Sequence, residues 1–382
     1  MVSFLVDLCA FSPNGLSLAC VTQTEKRILV RRCDEPHAKL NVEHKFAVCT
    51  PVDSIQWSPD SGFIAASCRK HAIICIYSIT IPNWKCKLSF GILDQVGGIG
   101  LEKFCWTPDA RHLLCISSQF TFLSVWSIRN KCAQYLKDIW RIAQGHSFSP
   151  DGSLLAIAHT NDQCKPYIGI YSCKTWTKET SFLVASRDLA GISWSPNYDK
   201  DVLVCWDSNL FSNLYIYDIL KGHLLKHYSP HGLSSGFKSV EWAPTGHFLV
   251  CTTHRNEIHV LNALTFGVLI HEVLEPSYAG SVEYDIFYGP NRTAANPKIG
   301  MSKYHRLSKW PPTYLEDYVT NDVTKGHKSP LPSWTVRVKI NEDGNYLTCL
   351  THLYPHVVWV YDLLSARLAA VLIHQNSVVG KY

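Results

Sequence analysis

One short turn recurs along this chain and restricts its fold more than any other feature. An aromatic residue closes an apolar stretch, then comes Ser or Thr in most copies, Pro, and a small polar residue, often followed by Gly. The copies are Phe11-Ser12-Pro13-Asn14-Gly15, Trp57-Ser58-Pro59-Asp60, Trp106-Thr107-Pro108-Asp109, Phe148-Ser149-Pro150-Asp151-Gly152, Trp194-Ser195-Pro196-Asn197 and Trp242-Ala243-Pro244-Thr245-Gly246. Pro presets φ for the first central turn position, Asp or Asn can bond nearby backbone, and Gly takes positive φ cheaply. The aromatic recurs after 46, 49, 42, 46 and 48 residues, and a degraded copy, Ile340-Asn341-Glu342-Asp343-Gly344, follows 98 residues after Trp242. Self-similarity at this period means stacked supersecondary units, and four strands per unit is the propeller case.

The copy at 146–173 shows the unit most clearly. After the turn, Leu154-Leu155-Ala156-Ile157-Ala158 is apolar throughout, as a strand buried on both faces should be. Tyr167-Ile168-Gly169-Ile170-Tyr171-Ser172 then reads as a third strand. A second periodic series ends the third strands: Tyr77-Ser78, Trp126-Ser127, Tyr171-Ser172, Tyr217-Asp218, Leu261-Asn262 and Tyr361-Asp362. This is the slot in which WD repeats carry their Trp-Asp dipeptide. The expected fold is all-β, a WD-type β-propeller of about seven four-stranded blades with a Pro-rich basic insertion before the last visible one. Blades one to six fill 1–277, the insertion 278–333, and the last visible blade with a truncated-looking C-terminus 334–382. The six turn aromatics should end first strands and pack between blades.

A repeat lets one propeller use all 382 residues, so length does not argue for several domains. No apolar run approaches the ~18–20 residues of a membrane span. Met1–Cys9 has no basic start and Asp7 interrupts it, so it reads as a first strand rather than a signal peptide. The 15 cysteines fall singly in strand-like runs, with no C-x-x-C. Reduced cysteine acting as a small hydrophobe fits this better than a disulfide frame or a zinc site, and indicates a cytosolic or nuclear compartment. The formal charge of +5 neither demands nor excludes an acidic partner.

Chemistry-bearing motifs are sparse. His223, His227 and His231, and separately His352 and His356, are spaced by four, but neither group has a nearby cysteine pair or the Glu of H-E-x-x-H. They read as surface-loop histidines, and no metal or cofactor is expected. Gly97-Gly98-Ile99-Gly100 precedes an apparent strand, the wrong order for a phosphate loop. No catalytic residue is assigned, and the chain reads as a non-enzyme.

The insertion is the better candidate for function. Arg292, Lys298, Lys303, Arg306 and Lys309 occur without an acid between Arg292 and Lys309, interleaved with Tyr304, Trp310 and Tyr314. Basic charge attracts acidic surfaces and exposed aromatics anchor interfaces. The partner-binding candidates are Arg292, Lys298, Lys303, Arg306, Lys309, Trp310 and Tyr314; the same segment also reads as a solvated loop with Trp310 tucked onto a blade. Its prolines should keep it out of a sheet, so that it projects. The first blade begins almost at Met1 and the last supplies its own outer strand, Leu368–Leu372. The ring is therefore expected either to close through side-chain packing alone or to be left open.

With the repeat series, Pro82-Asn83-Trp84-Lys85-Cys86-Lys87, Gly236–Pro244, Ala295-Asn296-Pro297-Lys298-Ile299-Gly300 and Val357–Asp362 in view, the chain resembles a known family. It is similar, over nearly all its length and in a shortened form, to the WD repeat-containing protein eight family, centrosomal WD-repeat proteins of animals and fungi. The resemblance implies a non-enzymatic scaffold at centrosomes and spindle poles, within the cytoplasm and cytoskeleton. It implies a coiled-coil partner, the SSX-interacting anchoring protein, and roles in microtubule minus-end anchoring, spindle assembly and cilium formation. In the sequence itself, the Gly-His before the first strand and the paired buried Asp and His that tie ordinary WD blades together are mostly missing, so apolar packing is expected to hold the blades. A substrate receptor of a ubiquitin ligase and an RNA-binding propeller using the basic insertion are the alternatives.

Overall fold

The structure, a computed structural model, describes residues 8–22, 26–33, 42–48, 51–89, 100–118, 120, 122–130, 132–140, 142, 144–160, 165–197, 201–208, 211–230, 236–274, 285–289, 305–307, 336–351, 354–374 and 378. These residues form seven sheets and no helix. Sheets one to six are four-stranded antiparallel meanders in chain order, and the seventh has six strands. Residues 1–4, on which the expectation of a ring without a strand clasp turns, lie outside the described residues. Two compact units divide the chain after Leu183: the first holds sheets one to four except Ser149–Asp151, and the second holds those three residues and everything from Val184.

Within each unit the core lies between successive sheets. Ile28 and Val30 of sheet one meet Ile64 and Tyr77 of sheet two in one cluster. Ile74 and Ile76 meet Phe104 and Leu113 of sheet three in the next, and Leu123 and Val125 meet Leu155 and Ile157 of sheet four. In the second unit Val204 and Ile216 of sheet five face Leu249 and Leu261 of sheet six. Val250 and Val260 in turn face Trp359 and Tyr361 of sheet seven. Second strands such as Val202–Asp207 are buried along their whole length, as their continuous apolar runs require. Fourth strands such as His223–Tyr228 are almost entirely exposed.

The recurring turn explains its own composition. The Ser58 hydroxyl donates to Asp60 Oδ1 at 2.5 Å and accepts from the Phe63 N–H at 2.9 Å. Thr107 does the same with Asp109 and His112, and Ser12 with Asn14 and Ser17. The fifth position has positive φ whether it is Gly15, Gly152, Gly246 and Gly344 or the side-chain-bearing Ser61 and Ala110. A Cβ added at Gly152 would lie 2.7 Å from Pro108 of the preceding turn, and one at Gly246 would lie 3.0 Å from the Asn197 backbone nitrogen. The motif is thus a seam between sheets as well as a turn.

All six turn aromatics end first strands as expected. Trp57, Trp106 and Trp194 are buried, and Phe148 and Trp242 are half-buried. Each of three indoles donates to the carbonyl just before the preceding aromatic: Trp57 to Ala10 at 2.9 Å, Trp106 to Gln56 at 3.3 Å and Trp242 to Ser193 at 3.5 Å. Phe11 departs from the expectation at 66% exposed. In its strand, Leu8–Phe11, burial alternates, and Phe11 shares the exposed face with Cys9.

Two further expectations change. Asp285–Gly289 and His305–Leu307, inside the insertion, are strands. Asp285–Gly289 pairs in parallel with Arg367–His374, and His305–Leu307 pairs antiparallel on its far side. The strand containing Leu368–Leu372 is therefore not a sheet edge. The physical reason is burial: Ile286 is 0% exposed and belongs to the cluster between sheets six and seven. The other suggested outer strand, Leu315–Val319, lies outside the described residues.

Nor is packing purely apolar. The last position of the second strand is buried and polar in six sheets: Thr22, Ser117, His159 (next to last there), Asp207, Thr253 and Thr351. Several of them bond groups in or near the following turn, and His159 and Asp207 also reach back to upstream residues. Thr351 accepts from the Tyr354 N–H at 3.1 Å, and Ser117 accepts from Phe122 at 3.2 Å. His159 Nδ1 donates to the Asp138 carbonyl, so its Nε2 accepts from the Tyr171 hydroxyl at 2.9 Å. Asp207 gathers the Ser186 hydroxyl, Asn213 and Tyr215.

Candidate partner-binding surface

Of the residues singled out in the insertion, Arg292, Lys298, Lys303, Lys309, Trp310 and Tyr314 lie outside the described residues. Arg306 lies in the added edge strand, exposed, with its guanidinium paired to the Asp285 carboxylate of the neighbouring strand. An exposed pair of this kind contributes at most about 1 kcal/mol, yet it commits part of the Arg306 charge within the sheet. His223 and His227 sit on the exposed strand His223–Tyr228, where His227 Nε2 is 3.0 Å from Asn213 Oδ1. His231 and His352 are outside the described residues. The run Gly232-Leu233-Ser234-Ser235-Gly236 matches G-x-S-x-G, but Gly236 leads directly into the strand Phe237–Trp242. A nucleophile elbow needs a helix there.

The described surface that stands out is at the corner joining third and fourth strands. Asp218, Asn262 and Asp362, the Trp-Asp slot of the sequence, turn their side chains onto the corner backbone. Asp218 accepts from the Lys221 N–H at 3.2 Å, Asn262 from Leu264 at 2.8 Å and Asp362 from Leu364 at 3.0 Å. This is the local bonding that makes Asx residues good turn formers. Two positions beyond each Asx lies a leucine pointing to solvent: Leu220 is 76% exposed, Leu264 64% and Leu364 71%. The same position is Thr80, Arg129 and Lys174 in sheets two to four, all exposed.

Leu220 and Leu264 share a groove of about 540 Å³ between the corners of sheets five and six, with Leu225 and the buried ring of Phe266 on its walls. Asp201 and Asp218 give it an acidic side, and Lys226 adds a cation. Burial, with Asp151 and Asp218 nearby, raises the Asp201 pKa above the usual carboxylate value. Mixed apolar and acidic lining suits a leucine-bearing, basic peptide surface. Sequence reasoning missed these leucines because each looks unremarkable alone. The signal was their recurrence two residues after the Asx slot in three successive repeats.

Cassette, sheet pattern and turn chemistry together define a WD-type β-propeller. Over 97% of its length the chain is 28% identical to WD repeat-containing protein WRAP73 of Mus musculus, covering 79% of that protein. It is 25% identical over 73% of its length to the Uncharacterized WD repeat-containing protein C32H8.09 of Schizosaccharomyces pombe, of which it covers 54%. The solved C-terminal WD40 domain of Sif2 superposes with a TM-score of 0.57 at 11% identity, covering 98% of this chain and 89% of that one. No protein-family model matches the chain. These likenesses support a WD-repeat scaffold or protein-interaction role.

Proposed function

We propose that the chain is a non-enzymatic scaffold of the centrosome and spindle pole, holding a coiled-coil anchoring partner for microtubule minus-end anchoring, spindle assembly and cilium formation. The observation that carries the binding part is the recurrence of Leu220, Leu264 and Leu364 on exposed corners, two of them in one groove. A helix with a leucine face and a basic flank is the chemistry that fits, in the helix-in-groove mode. The location and the partner's identity rest on the resemblance of the Trp84 segment and the Ala295–Gly300 run to the centrosomal family. The basic insertion is a second contact region.

The test is recruitment of the tagged chain in dividing cells, followed by affinity purification and mass spectrometry. A Leu220→Ser, Leu264→Ser, Leu364→Ser variant should lose the coiled-coil partner and leave spindle poles with its melting temperature nearly unchanged. A Lys298→Ser, Lys303→Ser, Arg306→Ser, Lys309→Ser variant should weaken recruitment without abolishing it. Normal localisation of both variants would sink the reading. RNA recovered in a salt-sensitive manner, and lost only in the second variant, would favour the RNA-binding alternative.

A further inference from the structure

In sheet six the third strand, Glu257–Asn262, sets Glu257 and His259 two residues apart, so their side chains leave the same face. On the fourth strand, Val268–Val273, His271 is the direct register partner of His259. Their rings stack with centroids 4.3 Å apart and planes 18° apart. His271 is exposed, Glu257 is half-buried and His259 is fully buried at 0%.

His259 is a polar group in an unusual position. Its Nδ1 lies 3.0 Å from the Tyr228 hydroxyl, on the outer strand of sheet five. Its Nε2 is buried without a hydrogen-bond partner and faces Glu257 Oε2 at 3.8 Å. Burial first, then His271 beside it, pushes the His259 pKa down to about 4, so at neutral pH the ring is uncharged and its contact with Glu257 is not an ion pair. A buried nitrogen lone pair or N–H with nothing to bond carries a desolvation penalty that native proteins rarely leave standing.

We propose that Glu257, His259 and His271 form a binding site for a divalent metal ion of the zinc class, with one coordination position left open. Two imidazoles and a carboxylate are a known zinc donor set, and three protein ligands with a free fourth position is the open arrangement. The three ligand atoms lie within 4.8 Å of one another, whereas tetrahedral coordination brings donors to about 3.3 Å apart. Closing that distance requires rotation of His271 and Glu257, the two side chains not locked in the core. His259 stays fixed. With Nδ1–H donating to the Tyr228 oxygen, its Nε2 lone pair points at the ion, the orientation that metal-bound histidines receive from an outer hydrogen bond. Thr253 Oγ1 donates to Glu257 Oε2 at 3.3 Å and steadies the carboxylate in the same way. The exposure of His271 leaves the fourth position within reach of water or of a partner's side chain.

The test uses the full chain stripped with a chelator and titrated with Zn²⁺, alongside Co²⁺ as a spectroscopic probe. One equivalent should bind and raise the melting temperature, and Co²⁺ should give the visible absorption of a four-coordinate nitrogen and oxygen site. His271→Gln and Glu257→Gln, both outside the core, should each weaken Zn²⁺ binding at least about tenfold with the fold intact by circular dichroism. His259→Gln should abolish it, and should that variant fail to fold, the other two still decide. Equal affinity in the parent and His271→Gln would place the ion on another of the 18 histidines and overturn the proposal. So would the absence of a cobalt band.

Discussion

Sheets one to four and sheets five to seven are cut from one cassette, and they differ where the cassette leaves a residue free. The turn, the buried second strand and the clusters between sheets recur in both units. The corner two residues past the third strand's end does not: it carries Thr80, Arg129 and Lys174 in the first unit and Leu220, Leu264 and Leu364 in the second. A residue imposed by the fold repeats everywhere. A large apolar residue that repeats in one unit only, exposed, answers to something outside the fold. On the proposed function, the corner leucines put the interaction surface in the second unit.

The largest expected effect follows by exchanging corners. Replacing Leu220, Leu264 and Leu364 with Thr, Arg and Lys should lower affinity for the isolated partner by at least about a hundredfold, since each buried leucine contributes about 1.5–3 kcal/mol. Replacing Arg129 and Lys174 with Leu should leave that affinity within about twofold. Calorimetry on both sets checks this, and equal losses would break the distinction between the units.

The frame itself should respond alike in both. Gly152→Ala and Gly246→Ala each put a Cβ into the neighbouring turn, at 2.7 Å and 2.9 Å from the nearest atom, on top of φ values of +69° and +72°. Gly15 has φ +71° but nothing within 4 Å. Urea unfolding should show a loss of about 2–3 kcal/mol for Gly152→Ala and Gly246→Ala, against about 1 kcal/mol for Gly15→Ala. An equal loss at all three would mean that backbone strain alone sets the cost and that the seam between turns is unimportant.

How much of this could be read in advance depends on whether a residue answers to its own repeat. The Ser-Pro-Asp-Gly turn is local chemistry repeated at a fixed period, so the strands and their order were legible. Ser61 and Ala110 show the limit, since they take the glycine's conformation only because the turn around them demands it. Asp285–Gly289 could not be placed, because its parallel partner, Arg367–His374, lies some eighty residues away and no periodic signal links them. Phe11 was misjudged because its slot recurs while its exposure does not. At the candidate surface, charge density drew the eye to the insertion. The corner leucines carry a sequence signal in their recurrence two residues past the Asx slot, whereas the Glu257, His259, His271 cluster emerges only when strand register is known.

Two buried groups, His146 in the first unit and Asp207 in the second, should also respond to acid in opposite senses. In the first, burial and then Lys103 push His146 down to about 4, where its Nε2 lies 3.6 Å from Cys105 Sγ. A lowered folded-state pKa gives stability that is full above about 6.5 and is lost as pH falls towards 4. In the second, burial raises the Asp207 pKa despite the donors from Ser186, Asn213 and Tyr215. A raised folded-state pKa gives stability that is full below about 3.9 and is lost as pH rises through the raised value. Just above pH 4 the two slopes oppose each other. His146→Gln should therefore flatten the rise of the urea midpoint with pH, and Asp207→Asn should steepen it. The opposite pair of changes would show that these groups do not govern acid stability.

The smallest effect is expected at Ala110, which occupies the glycine slot of the sheet-three turn at φ +56° and is 6% exposed. Ala110→Gly relieves left-handed strain of about 1–2 kcal/mol. It also frees the unfolded chain, which costs about 0.4–1 kcal/mol, and it removes a buried methyl group worth about 0.8 kcal/mol. The three contributions nearly cancel, so thermal unfolding should shift by no more than about 0.5 kcal/mol. A clear gain would mean that the Ala110 methyl packs against little. A clear loss would mean that it fills the same inter-turn seam that Gly152 and Gly246 leave to their neighbours, and that sheet three closes the seam from its own side.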